Sequence, residues 1–298
     1  MLVLAPGALG DLMCLMPALD AISRRHAGAS IELMSRFELA RLAAGRTVVA
    51  RAHSIDAREL SALFSDETPV DPGARRFFAD FDRIYSFFAW DDQHFRARLA
   101  AATDADVSFH RFLPDDDAHV SAAYLRAIDA TASPTDSRLE PTPDDLAAAA
   151  RALNQSNVDS SHLVAIFPGS GSPAKNWPAH KFAALASNLS KRAGVAVILG
   201  PAESSLEPVF RGRDVPVLKD LELPTVAAIA RLAVAFVGND SGVSHLAAAV
   251  GTPGLAIFGP TDPARWRPLG GRIDILRRNP IDSIEVEEVA VALSKFVA

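Results

Sequence analysis

The feature that most constrains this chain is a rhythm: short apolar runs alternate with stretches of helical period. In the second half, "HLVAIF", "VAVILG", "VPVLKD", "VAFVG" and "LAIFG" read as strands, the last two being the final strands of the pattern. Between them, "PAHKFAALASNLSKRAG" reads as a helix with Pro178 at its start and Gly194 at its end, and "PTVAAIARL" as another. Strands that alternate with helices imply βα units on a parallel sheet. The first half repeats the rhythm more faintly. "MLVLA", "SIELMS", "RTVVARA" and "FDRIYSFF" are predicted strands, and Asp11 to His26 a helix broken or kinked near Pro17. "PTPDDLAAAARALN" predicts a helix with an acidic first turn, and the tail "SIEVEEVAVALSKFV" an amphipathic one.

Two consecutive α/β halves predict two Rossmann-like α/β/α domains whose parallel sheets face a central cleft. The boundaries are placed at 1–142 and 143–298, with the Ser/Thr/Pro/Asp-rich segment from Ala130 to Thr142 as linker. The last helix, about 281–298, could pack back on the first domain. A chain of 298 residues fits this at roughly 150 residues per domain.

Hydrophobic residues at 49% and charged residues at 22% describe a soluble globular protein. A net charge of −6 argues against a nucleic-acid partner. Cys14, the single cysteine, excludes an internal disulfide and a cysteine-based zinc cluster; a reduced thiol points to the cytoplasm. The apolar N-terminus lacks a basic n-region and is interrupted by Asp11, so it does not read as a signal peptide. The apolar stretch Thr225–Val237 contains Arg231 and is short of the ~20 residues that a spanning helix needs. Docking on a membrane surface stays open.

In parallel α/β sheets, ligands bind beyond the carboxyl ends of the strands, and the polar loops of this chain all follow predicted strands. "NDSGVSH" puts Asp240, Ser241, Gly242 and His245 at the mouth of an otherwise apolar helix. The N–H groups of a first helical turn lack intrahelical partners and sit at the positive dipole end, so this is a candidate anion site. Equally, Asp240 or Ser241 could be an N-cap and His245 a satisfied core histidine. "PGSGSPAKNW" carries Lys175, a compact cation able to neutralise phosphate, or else a solvated surface lysine; Ser170 adds a hydroxyl nearby. The loop is not a P-loop, because the Gly-Lys-Ser/Thr ending is absent. Glu203, after "VILG", could accept bonds from ribose hydroxyls or be an ordinary loop carboxylate. Asp11, after Gly7 and Gly10, could be a modest general base or an N-cap. Asp104 to Asp106 and Asp115 to Asp117 read as solvated loops rather than metal ligands, while Trp90, Asp92 and His94 could line an acceptor cleft. No nucleophile elbow, HExxH or Cys/His cluster occurs.

Taken together, "LGDLMCLMPAL", "PGSGSPAKNWPAHKFAALASNL" and "FVGNDSGVSHLAAAVGTPGLAIFGPTDPARWRP" resemble glycosyltransferase family 9, the ADP-heptose:lipopolysaccharide heptosyltransferases and their relatives. The resemblance implies a GT-B fold in which the C-terminal domain binds a nucleotide sugar and the N-terminal domain the acceptor. It implies an inverting glycosyltransferase with no cofactor and no metal, using an ADP-sugar, a heptose above all. By motif, Asp11 is similar to the general base and Lys175 to the lysine that neutralises the diphosphate. Glu203 is similar to the ribose-binding glutamate, and Ser241, Gly242 and Val243 to the residues whose N–H groups hold the diphosphate, with Asp240 and His245 beside them. Ser170 matches a small hydroxyl position, and Leu221 an apolar residue that covers the base. The implied partners are the donor and a glycan or glycolipid acceptor, such as a lipopolysaccharide core. The implied location is the cytoplasm, with the inner-membrane face as an option that Arg75, Arg76, Arg96 and Arg98 could serve. The oligomeric state is left open. A non-catalytic nucleotide-sugar binder and a GT-B-type epimerase are the alternatives.

Overall fold

A computed structural model describes residues 1–113, 117–135, 137–213 and 215–297. Its contacts cluster into two units, one of residues 1–116 and 120–134, the other of residues 117–119 and 135–298.

The first unit is built on β1 (Leu2–Leu4), β2 (Ile31–Ser35), β3 (Val49–Ser54), β4 (Arg83–Ser86) and β5 (Asp106–Phe109). All are parallel, in the order β3-β2-β1-β4-β5. Strand order reverses direction between β1 and β4, and at such a switch point the following loops diverge and leave a crevice. The loop after β1 therefore has a privileged place, and it leads into the helix Leu9–Arg25. That helix runs through Pro17 without a break; its residues from Leu12 to Leu19 are buried, partly against the helix Val120–Ala127. It begins two residues before the predicted start, with Ala8 as N-cap, so Asp11 is the third helical residue rather than a cap.

The second unit is built on β6 (Leu163–Phe167), β7 (Gly194–Leu199), β8 (Val217–Lys219), β9 (Ala235–Asn239), β10 (Gly254–Phe258) and β11 (Ile273–Arg277). Its order is β11-β10-β9-β6-β7-β8, again all parallel, with the switch point between β6 and β9. Every residue of β6, β9 and β10 is buried, as expected of parallel strands covered by helices on both faces. The helix Pro143–Gln155 starts as its sequence dictates. Asp145 N–H donates to the Thr142 hydroxyl at 3.3 Å, and Thr142 N–H donates to the Asp145 carboxylate at 2.8 Å. The final helix, Val286–Ser294, packs on the helix Ala179–Leu189 and on β10 through Val289 and Leu293.

Three expectations need correction. The helix that follows Pro178 ends at Leu189, and Gly194 is the first residue of β7 rather than a helix stop. β10 is not the last strand, since β11 pairs with it along its whole length. Asp106 does not lie in a loop: it opens β5 and forms an ion pair with Arg83. The other acidic run, Asp115 to Asp117, falls mostly outside the described residues.

Candidate functional site

Four of the loops singled out from the sequence lie at the carboxyl edge of the second sheet, and two of them flank its switch point. After β6 the chain reaches Pro168, which has no N–H to continue a ladder. Ser170 then closes a small turn, its hydroxyl donating to the Ser172 carbonyl at 2.8 Å and accepting from Ser172 N–H at 3.2 Å. Pro173 opens a single 3₁₀ turn, Pro173–Lys175, that presents Lys175. The Lys175 ammonium stands 2.9 Å from Oδ2 of Asp240, at the end of the β9 loop. Asp240 is 5% exposed, and its Oδ2 has no aligned hydrogen bond, so the contact is one of charge at close range. A carboxylate buried this far needs a compensating cation. The reading of Lys175 as a solvated surface residue is therefore set aside.

The helix Gly242–Ala249 follows at once, with Ser241 as an extended N-cap whose side chain makes no capping bond. The N–H groups of Ser244 and His245 close on the Ser241 carbonyl at 3.1 and 3.3 Å. Those of Gly242 and Val243, both half-buried, have no acceptor within the helix, as for any first turn. That first turn presents two N–H groups and the positive end of the helix dipole, the features that attract an anion.

His245 is buried beside this group. Burial pushes its pKa down to about 4; the Asp240 charge opposes the shift, while His119 and Lys175 add to it and a hydrogen bond to the Trp266 backbone resists it. The imidazole is thus neutral at physiological pH and supplies no charge for a phosphate. His119 is held low in the same way, chiefly by burial, with its Nε2 2.9 Å from the Arg267 carbonyl.

Glu203 lies in the 3₁₀ turn Pro201–Leu206 after β7. Its side chain occupies the space that a side chain on Gly169 would fill: a Cβ there would fall 2.2 Å from Glu203 Cγ. Glycine at 169 is what lets the carboxylate approach the Lys175 loop. Leu221 is half-buried after β8.

One residue of this edge escaped the sequence reading. Asn239, fully buried at the end of β9, accepts from Trp177 N–H at 2.9 Å and donates to the Pro168 carbonyl at 2.8 Å. A polar residue that ends an apolar strand was the available signal.

In the first unit, Asp11 is half-exposed in the first turn of its helix, and its Oδ2 accepts from Ala8 N–H at 2.8 Å. Alanine offers no reciprocal acceptor, so this is one half of a capping box. Gly7 makes the arrangement possible. Its φ of +106° suits glycine, and a Cβ would stand 2.7 Å from Asp11 Oδ2 and 2.6 Å from the Phe112 ring. Asp92 is spent as the cap of the helix Gln93–Ala102, accepting from Phe95 N–H at 3.0 Å. Trp90 is 36% exposed, with the Arg111 guanidinium 5.7 Å from its ring centre. Among the described residues no group of three His, Cys, Asp or Glu side chains could hold a metal ion, and no helix is long and apolar enough to cross a membrane.

The model of the family described as "Glycosyltransferase family 9 (heptosyltransferase)" matches residues 109–293. Lipopolysaccharide heptosyltransferase 3 of Escherichia coli is 35% identical over 116 residues, covering 36% of this chain and 33% of that protein. Lipooligosaccharide heptosyltransferase 2 of Haemophilus influenzae is 32% identical over 127 residues, covering 39% of this chain and 36% of that protein. The matched segments thus span about a third of the length of these curated relatives. A glycosyl transferase family 9 structure from Veillonella parvula superposes with a TM-score of 0.84 at 17% identity, covering 99% of this chain and 96% of that one. The E. coli ADP-heptose lipopolysaccharide heptosyltransferase II superposes with a TM-score of 0.75 at 18% identity, covering 99% and 98%. Likeness at such identities concerns the fold, and it bears out the expected GT-B class of two parallel-sheet α/β units.

Proposed function

Because the chain belongs to glycosyltransferase family 9, we propose that it transfers a sugar from a nucleotide donor to a cell-surface glycan. The donor is an ADP-heptose, the acceptor a hydroxyl of a lipopolysaccharide core or related glycan, and the anomeric centre is inverted. The observation that carries this reading is the Lys175 ammonium 2.9 Å from buried Asp240, at the switch point of the second sheet and one residue from the uncapped start of the helix Gly242–Ala249.

Transfer from a sugar diphosphate breaks the bond between the anomeric carbon and the phosphate oxygen, and negative charge grows on the departing ADP. N–H groups at 241–243 and the Lys175 ammonium would stabilise that charge without reorganising, which is where enzymes gain most. On the acceptor side, Asp11 would take the proton of the attacking hydroxyl as the new bond forms on the opposite face. Glu203 would accept from the ribose hydroxyls, Leu221 would cover the base, and Ser170 would line the phosphate loop. Asp240 and neutral His245 would complete the donor wall. In this reading residues 143–298 bind the donor and 1–142 the acceptor, no divalent ion takes part, and the protein works in the cytoplasm.

Thermal-shift measurements against ADP-, UDP-, GDP- and dTDP-sugars test it, since a ligand of the native state raises apparent stability by mass action. ADP-heptose is expected to give the largest shift, undiminished by EDTA, and to remain intact without acceptor. A larger shift with another nucleotide's sugars removes the ADP assignment, and loss of the shift in EDTA removes metal independence. Consumption of donor alone favours an epimerase or hydrolase.

A further inference from the structure

We infer that Asn239 is the positioning residue that holds Lys175 in register with the anion-binding helix start, an inference that rests on the diphosphate reading above. The Asn239 side chain reaches from the end of β9 across the switch point to the loop after β6, and it grips that loop at both ends. Its Oδ1 accepts from Trp177 N–H at 2.9 Å; its Nδ2 donates to the Pro168 carbonyl at 2.8 Å and stands 3.4 Å from Asn176 Oδ1. Lys175 lies between those two anchors. On its other side, the Asn239 backbone carbonyl accepts from the Ser244 hydroxyl at 2.7 Å, within the helix Gly242–Ala249. One residue thus ties the loop that carries the cation to the helix that supplies the N–H groups.

The chemistry of the position is narrow. The amide orientation is set by its partners, because a flipped amide would oppose donor to donor at Trp177 and acceptor to acceptor at Pro168. An aspartate would keep the first bond and place a carboxylate oxygen against the Pro168 carbonyl. An apolar residue would leave a buried N–H and a buried carbonyl unpaired. There is no slack for the loop to shift inward: Trp177 is fully buried, and its indole N–H donates to the Ile284 carbonyl at 2.9 Å. Gly238, just before Asn239, is packed so closely that a Cβ would stand 2.6 Å from the Ser244 hydroxyl. The next residue, Asp240, holds the ammonium itself. Backbone and side chain of the Lys175 loop are therefore held by two consecutive residues of one strand end.

The test is a double-mutant cycle on the full chain, read by calorimetry with ADP and with adenosine, which lacks the diphosphate. Asn239→Ala is expected to weaken ADP binding by about fivefold, within the about tenfold that loss of Lys175 itself would cost, and adenosine binding by less than about twofold. In a Lys175→Ala protein the same change should cost less than about twofold in ADP affinity, because there is no longer a cation to misplace. If Asn239→Ala does not fold, Asn239→Ser, which leaves a small polar group at the strand end, is read the same way. Equal losses for ADP and adenosine, or an undiminished loss in the Lys175→Ala background, reduce Asn239 to a structural residue and overturn the inference alone. Wild-type protein that binds ADP no better than adenosine overturns the diphosphate reading and this inference with it.

Discussion

The carboxyl edges of the two sheets are furnished differently. On the second sheet the polar side chains are engaged within the edge itself: Lys175 with the Asp240 carboxylate, Asn239 with the Pro168 carbonyl and Trp177 N–H, Ser170 with the backbone of its own turn. On the first sheet Asp11 accepts from the Ala8 backbone N–H and lies beside Phe112, and Phe37, Phe64 and Trp90, after β2, β3 and β4, are 50%, 46% and 36% exposed. Both edges come from the same parallel βα architecture, so the fold did not impose the contrast. Under the proposed function it has a physical reason. A diphosphate is small, highly charged and always the same, and it rewards a preorganised set of dipoles. A glycan acceptor is larger and mixed in polarity, and exposed rings suit its apolar faces better than a fixed set of charges does.

That contrast can be broken at three points. The largest effect is expected at Asp11, where the Asp11→Ala variant should lower kcat by at least about a hundredfold, as for loss of a general base, with ADP affinity unchanged. Turnover with ADP-heptose and a verified acceptor, set beside calorimetry with ADP, measures both; wild-type turnover would remove the base assignment. Next comes Lys175→Ala, which should weaken ADP binding by about tenfold, the scale of one charged hydrogen bond, and an unchanged ADP affinity would place the diphosphate elsewhere. The smallest effect concerns His245. Its folded pKa lies below the ordinary histidine value, so the unfolded chain binds the proton more readily and stability is lost as pH falls from about 6.5 toward about 4. Between pH 7 and 6 the His245 share is about 1 kcal/mol or less, and it should vanish in His245→Asn when urea midpoints are compared at the two pH values. The other shifted histidines, His26, His110 and His119, are also lowered chiefly by burial, so the variant rather than the wild-type slope isolates this one.

Which elements were legible follows from burial. β6, β9 and β10 are buried at every position and stood out as continuous apolar runs. β5 and β11, which escaped notice, are edge strands: β5 has no fully buried residue and β11 only Ile273, so "DVSF" and "IDILR" look like loop. The early end of the helix at Leu189 was missed because Gly194, a usual helix stop, here starts a strand against a backbone that leaves no room for a Cβ. In the candidate site, loop position was readable from strand–loop–helix order, whereas the half-capping-box place of Asp11 depended on two residues of helix register.

Residue order by itself determined the parallel α/β class, the sides on which the loops emerge, and the helix starts written in Thr142–Asp145 and Pro178, because apolar period and capping act over a few neighbouring residues. Only the tertiary structure decided that Lys175 faces Asp240, that Asn239 clamps the loop after β6, that Glu203 fills the space over Gly169, and that His245 stays neutral. Those outcomes join groups that are far apart in the chain, and the pairing of β6 with β9 at the switch point and with β7 beside it, not any local pattern, brings them within reach.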